Sequence, residues 1–166
     1  MNIAIVTGAS SGMGREFARQ LGGYVSVDEI WAVARRASAL ETLKAETSVP
    51  VRPIVLDLLE ASSFTELEAL LETEKPNVRL LVNAAGFGKL GAYRKIPVED
   101  DCRMIDLNCK ALLLMTRLCV PYMQPGSHIL ELDSLSAFQP VPYITTYAAT
   151  KAFVLSYSRS MNRELK

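Results

Sequence analysis

Residues 3–14 read IAIVTGASSGMG, a short apolar run that passes directly into a turn containing three glycines. We interpret Ile3–Val6 as a buried strand and the residues after the turn, as far as about Leu21, as a helix. Gly8, Gly12 and Gly14 let the backbone turn tightly and approach an anionic group, which would then face the N-terminus of the helix. An ordinary strand-to-helix turn is the alternative interpretation.

The rest of the chain alternates short apolar runs with longer helical patterns. The further predicted strands are Ile30–Ala34, Val51–Leu56, Arg79–Asn83 and His128–Leu132. The further predicted helices are Ser38–Glu46, Ala61–Glu74, Val98–Tyr122 with a break near Asp106, and Tyr147–Leu165. Apolar strands without clean alternation fit a parallel sheet that is buried on both faces. The sequence therefore predicts a doubly wound α/β sheet of five strands, forming one domain over residues 1–166.

Composition and charge narrow the class of protein. The chain has 166 residues, 49% of them hydrophobic, and Lys+Arg and Asp+Glu balance at 18 each. This balance gives no electrostatic reason to expect nucleic acid or an anionic membrane as partner. No signal peptide pattern precedes the first strand and no apolar run is long enough to span a bilayer. We therefore expect a cytoplasmic protein.

Cysteine and histidine usage predicts neither disulfides nor a metal site. Cys102, Cys109 and Cys119 are odd in number and show no Cys-x-x-Cys spacing. We interpret them as reduced, small core or interface side chains of the Val98–Tyr122 helix. His128 is the only histidine; it lies at the start of a strand, where we expect a surface or edge position.

Polar or glycine-rich segments follow four of the predicted strands. They are the Thr7–Gly14 turn, Arg35-Arg36, Asn83–Gly86 and Asp133-Ser134. Ligands of open α/β sheets bind beyond the carboxyl ends of the strands. Because the strands are assigned from hydrophobicity alone, this coincidence supports a binding site at that edge.

The residues after the second and third strands bear on the choice of a dinucleotide. An acidic residue about 20 positions beyond the glycine fingerprint binds the ribose of NAD, whereas Arg accommodates the 2′-phosphate of NADP. Counting from Gly14 leads to Ala34, which Arg35 and Arg36 follow. The sequence therefore favours NADP(H) over NAD(H), with a solvated Arg pair as the alternative. Asp57 would either accept a hydrogen bond from the adenine amino group or cap the next helix.

Tyr147 and Lys151 form the most informative pair in the second half of the chain. Four residues apart on a helix, they lie on the same face, one turn from each other. A phenol normally titrates near ~10, and a nearby ammonium favours its phenolate form. The pattern is typical of a group that exchanges a proton with a carbonyl or a hydroxyl. Ser134, upstream of this pair, is predicted to be its partner in the site, and Ser136 is a near neighbour. The alternative is that Ser134 simply ends a strand.

These segments together resemble the short-chain dehydrogenase/reductase family over essentially the whole chain. The shared motifs are Thr-Gly-x-x-x-Gly-x-Gly at 7–14, Asn-Ala-Ala-Gly at 83–86, Asn108, Ser134 and Tyr147-x-x-x-Lys151. The resemblance implies a Rossmann-like fold. It also implies an oxidoreductase that interconverts a ketone or aldehyde and an alcohol by hydride transfer, with NADP(H) as the cofactor.

The resemblance assigns a role to each polar residue of the site. Tyr147 would be the general acid in reduction and the base in oxidation, assisted by Lys151, which would also bind the nicotinamide ribose. Ser134 would hydrogen-bond the substrate oxygen. Asn108 would hold a water that passes protons towards Lys151; a buried amide in a kinked helix is the alternative. The implied cofactor contacts are Gly8, Ser10, Ser11, Gly12, Met13, Gly14, Arg35, Arg36, Asp57, Leu58, Asn83, Ala84, Ala85, Gly86, Tyr147 and Lys151.

Two features depart from the family pattern. Glu131 and Asp133 occupy positions where the family usually carries uncharged residues, and the role of Asp133 is open. The chain ends at Lys166, where the family continues with two more strands and a substrate-covering loop. We therefore expect a longer native enzyme, with the fifth strand at a sheet edge. The alternative function is a cofactor-binding fragment or pseudoenzyme without turnover.

Substrate and partners are predicted from the loops and from family analogy. Phe87–Gly91 and Leu135–Tyr143 border the expected carbonyl site and carry few charges. They suit an apolar ketone or secondary alcohol; packing against further residues is the alternative. The resemblance also implies a homodimer or homotetramer formed through the last two long helices.

Overall fold

The structure, a computed structural model, describes residues 1–165, and Lys166 lies outside this range. The strands are β1 (Asn2–Thr7), β2 (Glu29–Ala34), β3 (Val51–Val55), β4 (Asn77–Asn83) and β5 (His128–Glu131). The helices are α1 (Gly12–Gln20), α2 (Ala37–Leu43), α3 (Ala61–Glu74), α4 (Val98–Ile105), α5 (Leu112–Cys119) and α6 (Thr145–Glu164). A π-helical segment, Asp106–Ala111, joins α4 to α5 and confirms the predicted break near Asp106.

The five strands form one parallel sheet in the order β3-β2-β1-β4-β5. The chain first builds outward from β1 to β3 and then returns to place β4 on the other side of β1. The order thus reverses between β1 and β4, which is where such sheets bind ligands. Thr7 and Asn83, the last residues of these two strands, are in register. The doubly wound fold predicted from the sequence is confirmed.

Both faces of the sheet are covered by helices. Ile3 and Ile5 face a core cluster shared with α3 and α5, whereas Ala4 and Val6 face a second cluster shared with α1 and α2. All four side chains are fully buried. Burial on both faces explains why β1 reads as a continuous apolar run and not as an alternating one.

The two edge strands have different features. β3 contains Pro53, which an edge strand tolerates because one side of its backbone needs no sheet partner. β5 lies at the opposite edge, as predicted, and His128 at its start is exposed. Beside β5, a groove of 810 Å³ runs between α1 and the sheet, with Phe17, Leu80 and Leu130 among its lining. None of the helices within residues 1–165 is long and apolar enough to cross a membrane.

Candidate active site

Thr7 joins the turn after β1 to the turn after β4. Its Oγ1 accepts hydrogen bonds from the backbone N–H groups of Ala84 and Ala85, each at 3.0 Å. Gly8 has φ +68°, and a Cβ there would lie 2.9 Å from the carbonyl oxygen of Ala84. The two turns are therefore in direct backbone contact, which only glycine at position 8 permits.

A cavity of 310 Å³ opens beyond the carboxyl ends of β1, β2 and β4. Its lining is Gly8, Ser10, Ser11, Gly12, Met13, Gly14, Val33, Ala34, Arg35, Leu56, Asp57, Leu58, Ala84, Ala85, Gly86 and Leu107. The structure thus brings together most of the residues that the sequence predicts for the cofactor. Val33, Ala34, Leu56 and Leu107 were not predicted, because apolar residues at the ends of strands and on helices have the pattern of core residues.

The two arginines after β2 have different surroundings. Arg35 is 62% exposed, and its Nη1 lies 3.8 Å from Oδ2 of Asp57 at the cavity. Arg36 is not part of the lining; its Nη2 donates to the backbone oxygen and to Oγ of Ser10, both at 3.2 Å. Arg35 is therefore the guanidinium at the cavity, whereas Arg36 holds the glycine turn.

Asp57 also supports its own turn. Its Oδ1 accepts a hydrogen bond from the backbone N–H of Leu59 at 3.0 Å. Helix α3 begins at Ala61 with Glu60 as its N-cap, so the alternative that Asp57 caps this helix is wrong. The binding of an adenine amino group by Asp57 stays a prediction.

Tyr147 and Lys151 lie outside this cavity, on the first turns of α6. Nζ of Lys151 donates to the backbone oxygen of Leu132 at 2.6 Å and lies 5.7 Å from the centroid of the Tyr147 ring. The loop after β4 passes close to the same ring: a Cβ at Gly88 would lie 2.9 Å from it. The ammonium is thus fixed by the end of β5, with the phenol beside it.

The charge of Lys151 is set by competing effects. The side chain is buried, and burial lowers the pKa of its ammonium. Asp133, Cys109 and Glu131 act against this shift through their charges, with Asp133 first among them. Asp133 and Glu131, which depart from the family pattern, therefore lie within electrostatic reach of the lysine.

Ser134 ends the segment that follows β5. Its Oγ accepts hydrogen bonds from the backbone N–H of Ser136 at 3.2 Å and from Oγ of Ser136 at 3.0 Å. The hydroxyls of Ser134 and Ser136 are therefore hydrogen-bonded to each other, and both residues are half-buried. Ser134 as the substrate-binding hydroxyl stays a prediction.

Asn108 lies in the π-helical segment and is buried. Its Oδ1 accepts from the N–H of Phe87 at 3.0 Å, and its Nδ2 donates to the oxygen of Phe87 at 2.8 Å and to Oγ1 of Thr150 at 3.1 Å. Oγ1 of Thr150 in turn donates to the oxygen of Tyr147 at 2.7 Å. Asn108 is thus a buried amide that satisfies backbone groups, as in the alternative interpretation, and it connects the loop after β4 to α6. Its role in holding a water stays a prediction.

Asn83 faces the interior of the protein. Its Nδ2 donates to Oγ1 of Thr116 at 3.0 Å and to Oε1 of Glu131 at 3.3 Å, whereas Ala84, Ala85 and Gly86 line the cavity. Burial raises the pKa of Glu131 to about 7, against its hydrogen bonds and the charge of Lys151. Sequence reasoning did not find Thr116, which has no distinguishing signal within α5.

Comparison with known proteins gives the family. The family model for short chain dehydrogenase matches residues 2–166. The NADP-dependent 3-hydroxy acid dehydrogenase YdfG of Salmonella typhi is 34% identical over 166 residues, which cover 98% of this chain and 66% of that protein.

Two solved structures at 30% identity have the same fold. The bulky-bulky ketone specific alcohol dehydrogenase from Comamonas testosteroni has a TM-score of 0.84, covering 99% of this chain and 68% of that one. A short-chain dehydrogenase from Sphingobium yanoikuyae in complex with NADPH has a TM-score of 0.86, covering 99% and 66%. The chain thus spans about two thirds of the length of these three proteins.

Proposed function

The chain belongs to the short-chain dehydrogenase family, and on this premise we propose that it is an NADP(H)-dependent oxidoreductase acting on ketones, aldehydes and alcohols. The observation that carries the proposal is the Tyr147–Lys151 pair at the carboxyl edge of the sheet. Asn108 connects this pair to the loop after β4, next to the segment that lines the cavity. Proton exchange and cofactor binding would therefore take place side by side.

The residues around the cavity fit a nicotinamide dinucleotide. The N-terminus of α1 has no acidic residue in its first turn, and Ser11 makes no side-chain capping bond in the described part of the chain. Free backbone N–H groups there suit a pyrophosphate. Any side chain at Gly8 or Gly14 would collide with neighbouring backbone. When bound, the nicotinamide supplies or accepts the hydride.

The protein's own residues handle the proton and the developing charge. In reduction, the Tyr147 hydroxyl gives its proton to the substrate oxygen, and in oxidation the phenolate takes it back. The Lys151 ammonium, fixed by the oxygen of Leu132, supplies positive charge beside the phenol. Ser134 donates a hydrogen bond to the same substrate oxygen.

Two loops favour an apolar substrate. The loops after β4 and β5 expose Leu90, Leu135, Phe138 and Tyr143. The backbone N–H of Gly91 donates to the oxygen of Tyr143 at 2.9 Å, which joins the loops after β4 and β5 into one rim. We therefore expect a hydrophobic ketone or secondary alcohol as substrate, since exposed apolar surface of this kind often marks a ligand groove.

The first experiment titrates the chain with NADPH and NADH and then assays carbonyl reduction over a panel of apolar ketones. Tight NADPH binding with turnover supports the proposal. Binding without turnover would favour the second candidate function, a cofactor-binding protein. If neither dinucleotide binds, both candidate functions are wrong.

The Arg35→Ala variant tests the preference for the 2′-phosphate. Loss of a charge-assisted contact of about 1.4 kcal/mol weakens NADPH binding about tenfold. NADH lacks the phosphate, so its dissociation constant should stay within about twofold. Fluorescence titration of both nucleotides measures the ratio. Arg79→Ala is the matched control, since Arg79 contacts Gly126 at the amino end of β5. Equal weakening of NADPH and NADH would contradict the assignment.

A further inference from the structure

Glu131, Thr116 and Asn83 form a buried polar group behind the turn that lines the cavity. Oγ1 of Thr116 lies 2.8 Å from the oxygen of Leu112 and 2.9 Å from Oε1 of Glu131, and it accepts from Nδ2 of Asn83 at 3.0 Å. A hydroxyl has one proton and two lone pairs. Thr116 therefore cannot donate to Leu112 and to Glu131 at the same time.

A proton on Glu131 resolves this shortage. The acid then donates to Oγ1 of Thr116, whose second lone pair accepts from Asn83 and whose own proton goes to the oxygen of Leu112. While Thr116 donates to Leu112, an ionised Glu131 would keep one hydrogen bond within residues 1–165, the 3.3 Å one from Nδ2 of Asn83 to Oε1. Oε2 of Glu131 and Oδ1 of Asn83 are also buried and have no partner within residues 1–165, which makes a full negative charge there costly.

We propose that Glu131 is a positioning residue that acts on the site through Asn83 and Lys151. As a neutral acid, it completes the hydrogen bonds that hold Asn83, the last residue of β4, directly before the cavity-lining residues Ala84–Gly86. As a carboxylate, it adds negative charge that favours the Lys151 ammonium. This proposal rests on the proposed role of Lys151 in proton transfer.

The titratable groups around Glu131 are consistent with loss of its proton near neutral pH. Helix α6 presents Lys151 and Tyr157, and the pKa of Tyr157 is raised first by burial and then by the charge of Glu131. Helix α5 presents Cys119, a neutral thiol because burial raises its pKa to about 12. Asp133 acts on Lys151 from the segment after β5, and β4 contributes the neutral Asn83, whose Nδ2 contacts Oε1 of Glu131.

Protonation of Glu131 has a defined effect on stability. The pKa of Glu131 is raised from 4.5 to about 7, so between these pH values the folded protein holds a proton that the unfolded chain has released. Stability from this group is present below pH 4.5 and is lost as the pH rises through about 7. Glu131→Gln keeps the shape and an N–H donor for Thr116 but cannot ionise.

The first measurement is urea unfolding of the wild type and Glu131→Gln at pH 5 and pH 8. We expect the unfolding equilibrium constant of the variant, relative to that of the wild type, to fall by about tenfold or more between the two pH values. Glu72→Gln, an exposed residue of α3, is the matched control and should show a constant difference. If Glu131→Gln also showed a constant difference, the inference that Glu131 is protonated in the folded protein would be wrong.

The second measurement is the titration of Lys151 by NMR of ¹³Cε-labelled lysine, with the signal assigned by its absence in Lys151→Arg. Above pH 7 the wild type carries the Glu131 charge and the variant does not, so the pKa of Lys151 should be lower in Glu131→Gln. A structural role alone would not move this titration. An unchanged Lys151 titration, together with the stability effect, would overturn the positioning role.

Neither measurement uses turnover, so failure of the proposed function is recognised separately, by absent NADPH binding or absent reduction. If Glu131→Gln does not fold, ¹³C NMR of the glutamate carboxyl carbons in the unaltered protein decides whether Glu131 holds its proton up to about pH 7. A carboxyl titrating near pH 7 supports the proposal. No glutamate titrating above pH 5 would overturn it.

Discussion

The Tyr147→Phe variant is expected to lose carbonyl reduction by about 10³-fold while its NADPH dissociation constant changes by less than about twofold. A positioned proton donor contributes roughly 10²- to 10⁴-fold, and the phenyl ring keeps the shape of the side chain without the proton. The ring contacts the Gly88 backbone, and its oxygen makes no hydrogen bond within the described residues, so the fold should be unaffected. Steady-state kinetics with NADPH measures the loss in kcat.

Tyr157→Phe is the matched control for this prediction. Tyr157 is half-buried on the same helix and stacks on Phe153 with ring centroids 5.7 Å apart. This control should retain kcat within about twofold. If Tyr147→Phe retained turnover as well, Tyr147 would not be the proton donor, and the proposed mechanism would be wrong even if NADPH binds.

The order of elements could be predicted because it depends on local patterns. Each predicted strand appears within about two residues of its expected bounds, since buried parallel strands read as apolar runs. The glycine turn, Arg35 and the Asn83–Gly86 segment could be assigned to one edge because parallel strands end there together. No pairing had to be known for these predictions.

Contacts between distant segments could not be predicted in the same way. Thr7 bonds Ala84 and Ala85 only because β4 lies next to β1, and apolar patterns do not encode strand order. Likewise, the sequence predicts Asn83 as a cofactor-binding residue, but its side chain donates to Glu131. The departures at Glu131 and Asp133 were visible in the sequence. Their proximity to Lys151 required the structure.

Gly14→Ala is expected to have the second largest effect, because at this position helix α1 packs directly on the turn that precedes it. A Cβ at Gly14 would lie 2.6 Å from the oxygen and 2.8 Å from the carbonyl carbon of Gly8, and 2.9 Å from the oxygen of Thr7. These are backbone atoms of a turn that Thr7 fixes to Ala84 and Ala85, so they cannot move aside as a flexible side chain would. Overpacking of this kind costs about 3 kcal/mol.

Gly12→Ala separates this collision from the conformational preference of glycine. Gly12 has φ +56°, but a Cβ there would meet no atom of residues 1–165 within 4 Å. Its cost is the left-handed backbone strain alone, about 1 kcal/mol. Thermal unfolding should therefore show a decrease in Tm of roughly 6–12 °C for Gly14→Ala and of roughly 2–4 °C for Gly12→Ala. Equal decreases would mean that the contact between α1 and the turn relaxes freely, and the glycine turn proposed to bind the pyrophosphate would then not be rigid.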